Sequence, residues 1–145
     1  MTLGAIAART ERITLGTWIS APATYQPWRL ALAASSLDQL SNGRVMLGVG
    51  LGLGSDFGQF GDEASPGDRA RRYDEALEVI QLLWSGEPVT FLGEFFRLEG
   101  VTLPVVPRQE RDDAEYRSLA HEVGATWLLT SYRMDLDELR KGPPT

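Results

Sequence analysis

The chain has 145 residues and a mass of 16.0 kDa, so it is long enough for one domain with a substantial core but not for two. Its 20 acidic residues outnumber its 14 basic ones, and the resulting net charge of -6 argues against nucleic acid as a partner. With no cysteine, it offers no disulfide, thiolate zinc site or cysteine nucleophile, so redox chemistry requires a bound cofactor. No leader peptide or bilayer-long apolar stretch is present, so we expect a cytoplasmic protein with no membrane partner.

The first predicted elements are two helices that alternate with two strands. Residues 3–9 are alanine-rich and favour a helix, and residues 13–19 alternate with little charge, which predicts a strand buried on both faces. Pro27 suits the first position of a second helix, which Asn42-Gly43 ends. The apolar run 45–50 predicts a second buried strand.

A long loop, a helix and a hairpin are predicted next. Residues 51–64 read as a loop, and Ser65 with Pro66 supplies the cap and first position of a helix that ends at Gly86. The buried stripe of this helix is Tyr73, Leu77, Ile80 and Trp84. Residues 89–92 and 95–98 predict the two strands of a hairpin across Gly93-Glu94.

The carboxyl-terminal part predicts a charged linker and three short elements. The linker is residues 108–115, and it is followed by a helix over 114–123, a strand over 125–129 and a helix over 136–140. Strands and helices alternate along the whole chain, which favours a parallel α/β sheet or barrel. Because a closed eight-unit barrel takes about 250 residues, we expect a partial barrel or a small open sheet.

Four glycines alternate after the second strand, at positions 48, 50, 52 and 54. They do not form the G-x-G-x-x-G pattern that leads directly into a helix in dinucleotide-binding folds, nor a P-loop. Two interpretations stay open: close packing at a strand end, or room for a planar ring to approach.

Other polar residues have ordinary structural explanations. The single histidine, His121, reads as a surface residue. An acidic cluster lies where the second strand ends, and a solvated loop is its simplest explanation; it comprises Asp56, Asp62 and Glu63. Three arginines precede two glutamates at helical spacing and predict surface ion pairs; these are Arg69, Arg71 and Arg72 with Glu75 and Glu78.

Trp18 and Ser20, at the end of the first strand, are the most informative polar and aromatic pair. They are either a core aromatic beside a turn-forming serine or the point at which this strand end touches a ligand.

Three stretches resemble successive parts of the bacterial-luciferase-like flavin monooxygenases. They are AARTERITLGTWIS, QPWRLALAASSLDQLSNGRVMLGVGLG and RYDEALEVIQLLWSGEPVTFLGEFFRLEGVTLPVVP. GATWLLTS and LRKGPP resemble the far carboxyl end of the same family. The resemblance implies a single domain over 1–145, in which 1–107 corresponds to middle units of the family and 114–145 to its carboxyl end.

The resemblance also implies the fold and the cofactor. Family members are eight-fold β/α barrels that bind reduced FMN, or a deazaflavin coenzyme in one branch, at the carboxyl ends of the strands. Residues 13–19 and 45–50 would be the third and fourth strands. The fold class expected is therefore α/β, a partial TIM-type barrel with a parallel sheet and a small β-hairpin insertion.

The segment GTWISAPATYQP resembles the part of the family that backs the flavin ring, where some members have a non-proline cis peptide bond; here that bond would be Trp18-Ile19. By resemblance, Trp18, Ile19 and Ser20 would line the ring, and Gly50 and Gly52 would give it room. Ala21 and Gln26 stand where deazaflavin-dependent members carry asparagine and histidine. The strands that supply much of the phosphate site in the family have no counterpart here, and neither a catalytic nor a metal-binding residue is assigned.

The function expected by resemblance is a flavin-dependent oxidoreductase or monooxygenase that uses reduced FMN on an unknown small molecule. The alternative is a non-catalytic remnant that self-associates and binds flavin weakly or not at all; a hydrolase that uses the loop carboxylates ranks last. A homo-oligomer is expected because open sheet edges and the side chains of Leu15, Leu47 and Val49 would otherwise be uncovered.

Overall fold

The computed structural model describes residues 2–62 and 64–108, together with the backbone of residues 128 and 129. In chain order the elements are α1 (Thr2–Ala7), β1 (Leu15–Gly16), a 3₁₀ turn (Pro22–Thr24), α2 (Pro27–Leu40), β2 (Val45–Gly48), α3 (Gly54–Gly58), α4 (Pro66–Leu83), β3 (Val89–Leu92), β4 (Arg97–Val101) and β5 (Leu128–Leu129). No helix among the described residues combines the length and apolarity needed to cross a bilayer.

The central sheet has the order β1-β2-β5. β1 and β2 are parallel, with Leu15 opposite Val45, and an isolated parallel bridge joins Ser20 to Val49 farther along. The parallel pair with its helices confirms the α/β class. β5 pairs with β2 in the antiparallel direction, which is not the direction of a last barrel strand, and the described strands do not close into a barrel.

Both predicted central strands are shorter in the structure than in the sequence analysis. β1 covers only residues 15–16 of the predicted 13–19, and β2 ends at Gly48, two residues early. The prediction that the first strand is buried on both faces is wrong, since Ile13 is 50 % and Trp18 73 % exposed. The physical reason is that only residues 15 and 16 lie in the strand: Leu15 is buried, whereas Ile13 and Trp18 lie in the irregular segments before and after it.

The core lies between the sheet and the helices α2 and α4. Leu47 and Val49 pack with apolar side chains of both helices, among them Ala31, Ala76 and Ile80. Leu15 is buried as well. The expectation that Leu15, Leu47 and Val49 are uncovered is therefore wrong: because side chains alternate along a strand, these three face the helices.

The ends of α2 and α4 follow the predicted capping signals. α2 begins at Pro27, and Asn42 and Gly43 after it have φ angles of 59° and 80°. At the start of α4 the Ser65 hydroxyl accepts the Asp68 N–H at 3.1 Å and donates to the Asp68 carboxylate at 2.7 Å. The second hydrogen bond is the main cause of the lowered pKa of Asp68.

The predicted loop 51–64 contains the short helix α3, so that part of the prediction is wrong. The Asp56 carboxylate accepts the Leu53 N–H at 2.7 Å and so satisfies one donor at the helix start. Phe57 is only 2 % exposed. One capping carboxylate and one buried aromatic therefore order a segment whose composition is typical of a loop.

The hairpin is confirmed, but β4 begins at Arg97 instead of residue 95. The reason is Glu75 of α4, whose carboxylate accepts the backbone N–H groups of Glu94, Phe95 and Phe96 at 2.7, 3.0 and 3.2 Å. Because these groups bond to the helix, the ladder between β3 and β4 starts two residues later. A Cβ atom at Gly93 would collide with the same carboxylate.

The arginines of α4 form ion pairs with partners other than the predicted Glu75 and Glu78. Arg71 pairs with Asp68 at 2.6 Å and with Glu94 at 3.1 Å, and Glu94 is the main cause of its raised pKa. Arg72 pairs with Asp62 at 2.5 Å. Two of these three carboxylates lie outside α4, because the hairpin turn and the loop before the helix bring them to its surface.

Several sequence predictions lie outside the described residues. They are the linker beyond Arg108, the helices over 114–123 and 136–140, and His121. Arg108 itself is not a free linker residue, since its backbone N–H donates to the buried Asp38 carboxylate at 2.9 Å.

Arg44, between α2 and β2, is 93 % buried, and no carboxylate among the described residues pairs with it. Its guanidinium makes five hydrogen bonds, which equals the number of its N–H donors. The acceptors are the carbonyls of Ala7, Thr10, Ile13 and Ser41 and the Thr10 hydroxyl, at 2.7 to 3.1 Å. Arg44 therefore ties the connection before β1 to the start of β2.

We expect Arg44→Met to lower the free energy of unfolding by about 3 to 5 kcal/mol, because it leaves several buried acceptors without donors. The stability of Arg44→Lys should lie between those of wild type and Arg44→Met, since an ammonium group has three donors and no planar fork. Urea unfolding measures both, with Arg12→Met at an exposed position as the control. A stability of Arg44→Met within 1 kcal/mol of wild type, on the order of the control, would contradict this role.

Candidate functional site

The carboxyl ends of β1 and β2 are joined through backbone hydrogen bonds of Ser20. The Ser20 N–H donates to the Gly48 carbonyl at 2.8 Å, and the Gly50 N–H donates to the Ser20 carbonyl at 3.0 Å. This edge of a parallel α/β sheet is where such proteins place their binding sites. The structure therefore brings Ser20 and Gly50, two of the predicted cofactor-binding residues, next to each other.

The turn before Ser20 presents its backbone and side chains to solvent. The Trp18-Ile19 peptide bond is cis, as the resemblance implies. Trp18 is 73 % and Ile19 49 % exposed, so the interpretation of Trp18 as a core aromatic is wrong. These residues offer an uncovered apolar surface at the strand end.

The glycines after β2 pack closely against the loop that follows β1. A Cβ atom at Gly48 would collide with the Thr17 carbonyl, and one at Gly50 would collide with the Ile19 side chain. Gly52 has a φ of 77°, and its Cβ would lie 3.0 Å from that of Ala21. Close packing is thus a sufficient explanation for these glycines, and it draws the two loops together.

A cleft of about 580 Å³ lies between the two loops. Residues 19–25 form one wall and residues 56–62 the other, and Ile19 belongs to the first. Ser20 lines a different, more apolar cleft of about 510 Å³ between the sheet, α1 and α2. Tyr25 lines both, whereas Trp18, Gly50 and Gly52 line neither.

Sequence reasoning missed the residues that form most of the cleft between the loops. These are Thr24, Tyr25, Phe57, Gln59 and Phe60. The sequence does contain a signal for Phe60. A large aromatic residue stands there in a glycine-rich loop after a buried strand, where the neighbouring residues Gln59, Gly61 and Asp62 offer no apolar side chain to bury it. Phe60 is 85 % exposed in the structure.

The charges around this cleft suit a neutral ring better than a phosphate group. Asp56 and Asp62 line it, and no lysine or arginine among the described residues does. Arg72 is paired with Asp62, and Arg69 stacks on the Phe57 ring at 5.4 Å, with its Nε and Nη1 atoms buried and unpartnered. The described cleft therefore offers a phosphate group no cationic partner, whereas the exposed side chains of Trp18 and Ile19 at this edge are apolar.

Tyr73, on α4, does not line the cleft. Burial, with a smaller contribution from Asp74, raises the pKa of its phenol to about 12. Within residues 2–62 and 64–108, no group of three histidine, aspartate or glutamate side chains could hold a metal ion. The acidic residues Asp56 and Asp62 act instead as a helix cap and an ion-pair partner.

Comparison with known sequences gives the family. The profile described as luciferase-like monooxygenase matches residues 1–141. An F420-dependent glucose-6-phosphate dehydrogenase of Nocardia farcinica is 38 % identical over 109 residues, which cover 72 % of this chain and 32 % of that protein. An uncharacterised protein of Mycobacterium tuberculosis is 31 % identical over 148 aligned positions, which cover 95 % of this chain and 51 % of the relative.

Comparison with solved structures also finds members of this kind of enzyme. The monooxygenase RslO1 of Streptomyces bottropensis has a TM-score of 0.68 at 36 % identity, covering 74 % of this chain and 32 % of that one. An F420-dependent secondary alcohol dehydrogenase, solved with an F420-acetone adduct, has a TM-score of 0.68 at 32 % identity, with coverages of 74 % and 34 %. The chain spans about a third to a half of the length of these relatives. It belongs to the luciferase-like monooxygenase family.

Proposed function

We propose that the chain serves an oxidoreductase reaction in which the tricyclic ring of a reduced flavin or deazaflavin lies at the carboxyl ends of β1 and β2. The observation that carries this proposal is the exposed turn at Trp18 and Ile19 beside the cleft between the loops. Apolar, uncovered residues at this edge of a parallel sheet are typical of a small-molecule site.

The residues of this edge would have distinct roles toward the ring. Trp18, Ile19 and Ser20 form the surface on which the ring lies, while Gly50 and Gly52 allow the second loop to approach. The ring, when bound, supplies the hydride or oxygen chemistry. The protein orients the ring and excludes water from it, and the substrate is a small molecule that reaches the exposed face.

Two observations bear on the choice of cofactor. Ala21 and Gln26 replace the polar residues of deazaflavin-dependent members, which supports FMN. In contrast, two of the relatives above 30 % identity, the glucose-6-phosphate dehydrogenase and the secondary alcohol dehydrogenase, are named as F420-dependent. The ring is common to both, so we take the ring and not the phosphate as the recognised group.

We expect FMN and riboflavin to bind with dissociation constants within about threefold of each other, because the described cleft offers no charge-assisted contact to phosphate. Two such contacts would contribute about 3 to 6 kcal/mol, equivalent to a hundredfold or more in affinity. Fluorescence quenching of each flavin on titration measures both constants.

A sub-micromolar affinity for FMN with a strong preference over riboflavin would contradict the expected lack of a phosphate site. Titration of F420 under the same conditions tests the deazaflavin candidate. Failure of all three to bind would favour the non-catalytic alternative.

We also propose that the chain self-associates. β1 has β2 on one side, and among the described residues no strand pairs with its other edge. An open edge together with exposed apolar residues favours association. Light scattering at tens of micromolar should give the mass of a dimer or larger assembly, and a monodisperse monomer would contradict this.

A further inference from the structure

We propose that Phe60 contacts the ring of the bound ligand and that residues 53–62 carry it there as a hinged segment. This inference rests on the proposed function, since Phe60 would contact the same ring from the side opposite Ile19. Its physical basis is the way in which this segment is attached to the rest of the chain.

The segment is bounded by two glycines in the left-handed region. Gly52 and Gly61 both have a φ of 77°. Nothing lies within 4 Å of the position of a Cβ atom at Gly61, nor at Gly58 within the segment. Because glycine changes its backbone angles at low cost, Gly61 is the position about which the proposed movement of the segment relative to α4 would take place.

Two large apolar side chains of this segment are in water. Phe60 is 85 % and Leu53 70 % exposed. Phe60 lines the cleft opposite Ile19 and Tyr25. Burying an apolar side chain lowers the free energy of the protein. A position of Phe60 against a bound ring is therefore more favourable than its present position in water.

Few contacts hold the segment in its present position. Phe57 is buried against Arg69, and the Asp62 carboxylate pairs with Arg72. Two nitrogen atoms of Arg69, which packs over Phe57, are buried and have no acceptor among the described residues. Burial of Phe57 is the larger restraint on movement, and the Asp62–Arg72 pair adds a smaller one next to Gly61.

The ligand class follows from the side chains on the two walls. Phe60 and Tyr25 are aromatic and Ile19 is aliphatic, so the space between them suits a flat heteroaromatic ring. At the edge of such a ring the Gln59 amide can donate or accept hydrogen bonds, and the carboxylates beside it can accept them. Riboflavin presents this ring without a phosphate and is the appropriate probe.

The first test needs no ligand. Hydrogen exchange of the free protein should show residues 53–62 exchanging at least tenfold faster than α4, although the amides of Asp56, Gln59 and Asp62 are hydrogen-bonded. Asp62→Asn should accelerate this segment at least fivefold further. Glu94→Gln, which removes another exposed partner of an α4 arginine, should leave it unchanged. Protection equal to that of α4, or no effect of Asp62→Asn, would overturn the hinge.

The second test uses riboflavin. Phe60→Ala should increase the dissociation rate of riboflavin about tenfold to hundredfold, because an aromatic contact is lost. Leu92→Ala, at an equally exposed apolar position on the hairpin, should change it less than twofold. Riboflavin that binds wild type and Phe60→Ala equally overturns the contact while the proposed function stands. If wild type binds no flavin, the proposed function and the contact both fail, and hydrogen exchange still decides the hinge.

Discussion

The Arg44 guanidinium donates hydrogen bonds to the chain before β1 and to the end of α2, and it thereby fixes where the two parallel strands begin. The Leu15 N–H donates to the Arg44 carbonyl at 2.8 Å, so the same residue also starts the ladder between the strands. In a parallel pair the register at one end determines the register at the other. The alignment of the carboxyl ends of the two strands relative to each other therefore depends on this buried cation.

At those carboxyl ends, the backbone of Ser20 and the glycines after β2 hold the two following loops close together. Ser20 bonds to Gly48 and Gly50, and the absence of side chains at these glycines lets Thr17 and Ile19 lie against them. The result is an exposed turn supported from below by two strands and bordered by the loop that contains α3. In parallel α/β folds, binding sites lie at such an edge, where a rigid sheet positions the connecting loops.

The sequence predicted the parts of the fold that depend on neighbouring residues. Pro27, Ser65 and the Asn42-Gly43 pair act within one turn of a helix end, so their signals can be identified without any tertiary information. The cis bond between Trp18 and Ile19 was predicted from the resemblance to a family. The composition and periodicity of the turn do not indicate such a bond.

The remaining features depend on contacts between distant residues, which periodicity does not report. Glu75 moves the start of β4 through bonds to residues 19 to 21 positions away. Arg44 finds four of its five acceptors 31 to 37 positions earlier. The cleft likewise required knowledge of how far the loop containing Phe57 and Phe60 folds back toward Tyr25.

The dependence of ring binding on these strand ends is tested most directly by mapping riboflavin onto the protein through the chemical shifts of its backbone amides. Shift changes on titration should concentrate at residues 18–21 and 50–62, at the ends of β1 and β2, and the amides of the β3–β4 hairpin should stay unchanged. Shifts concentrated in the hairpin or on the outer surface of α4 would contradict this dependence, because the ring would then bind away from the strand ends that Arg44 positions.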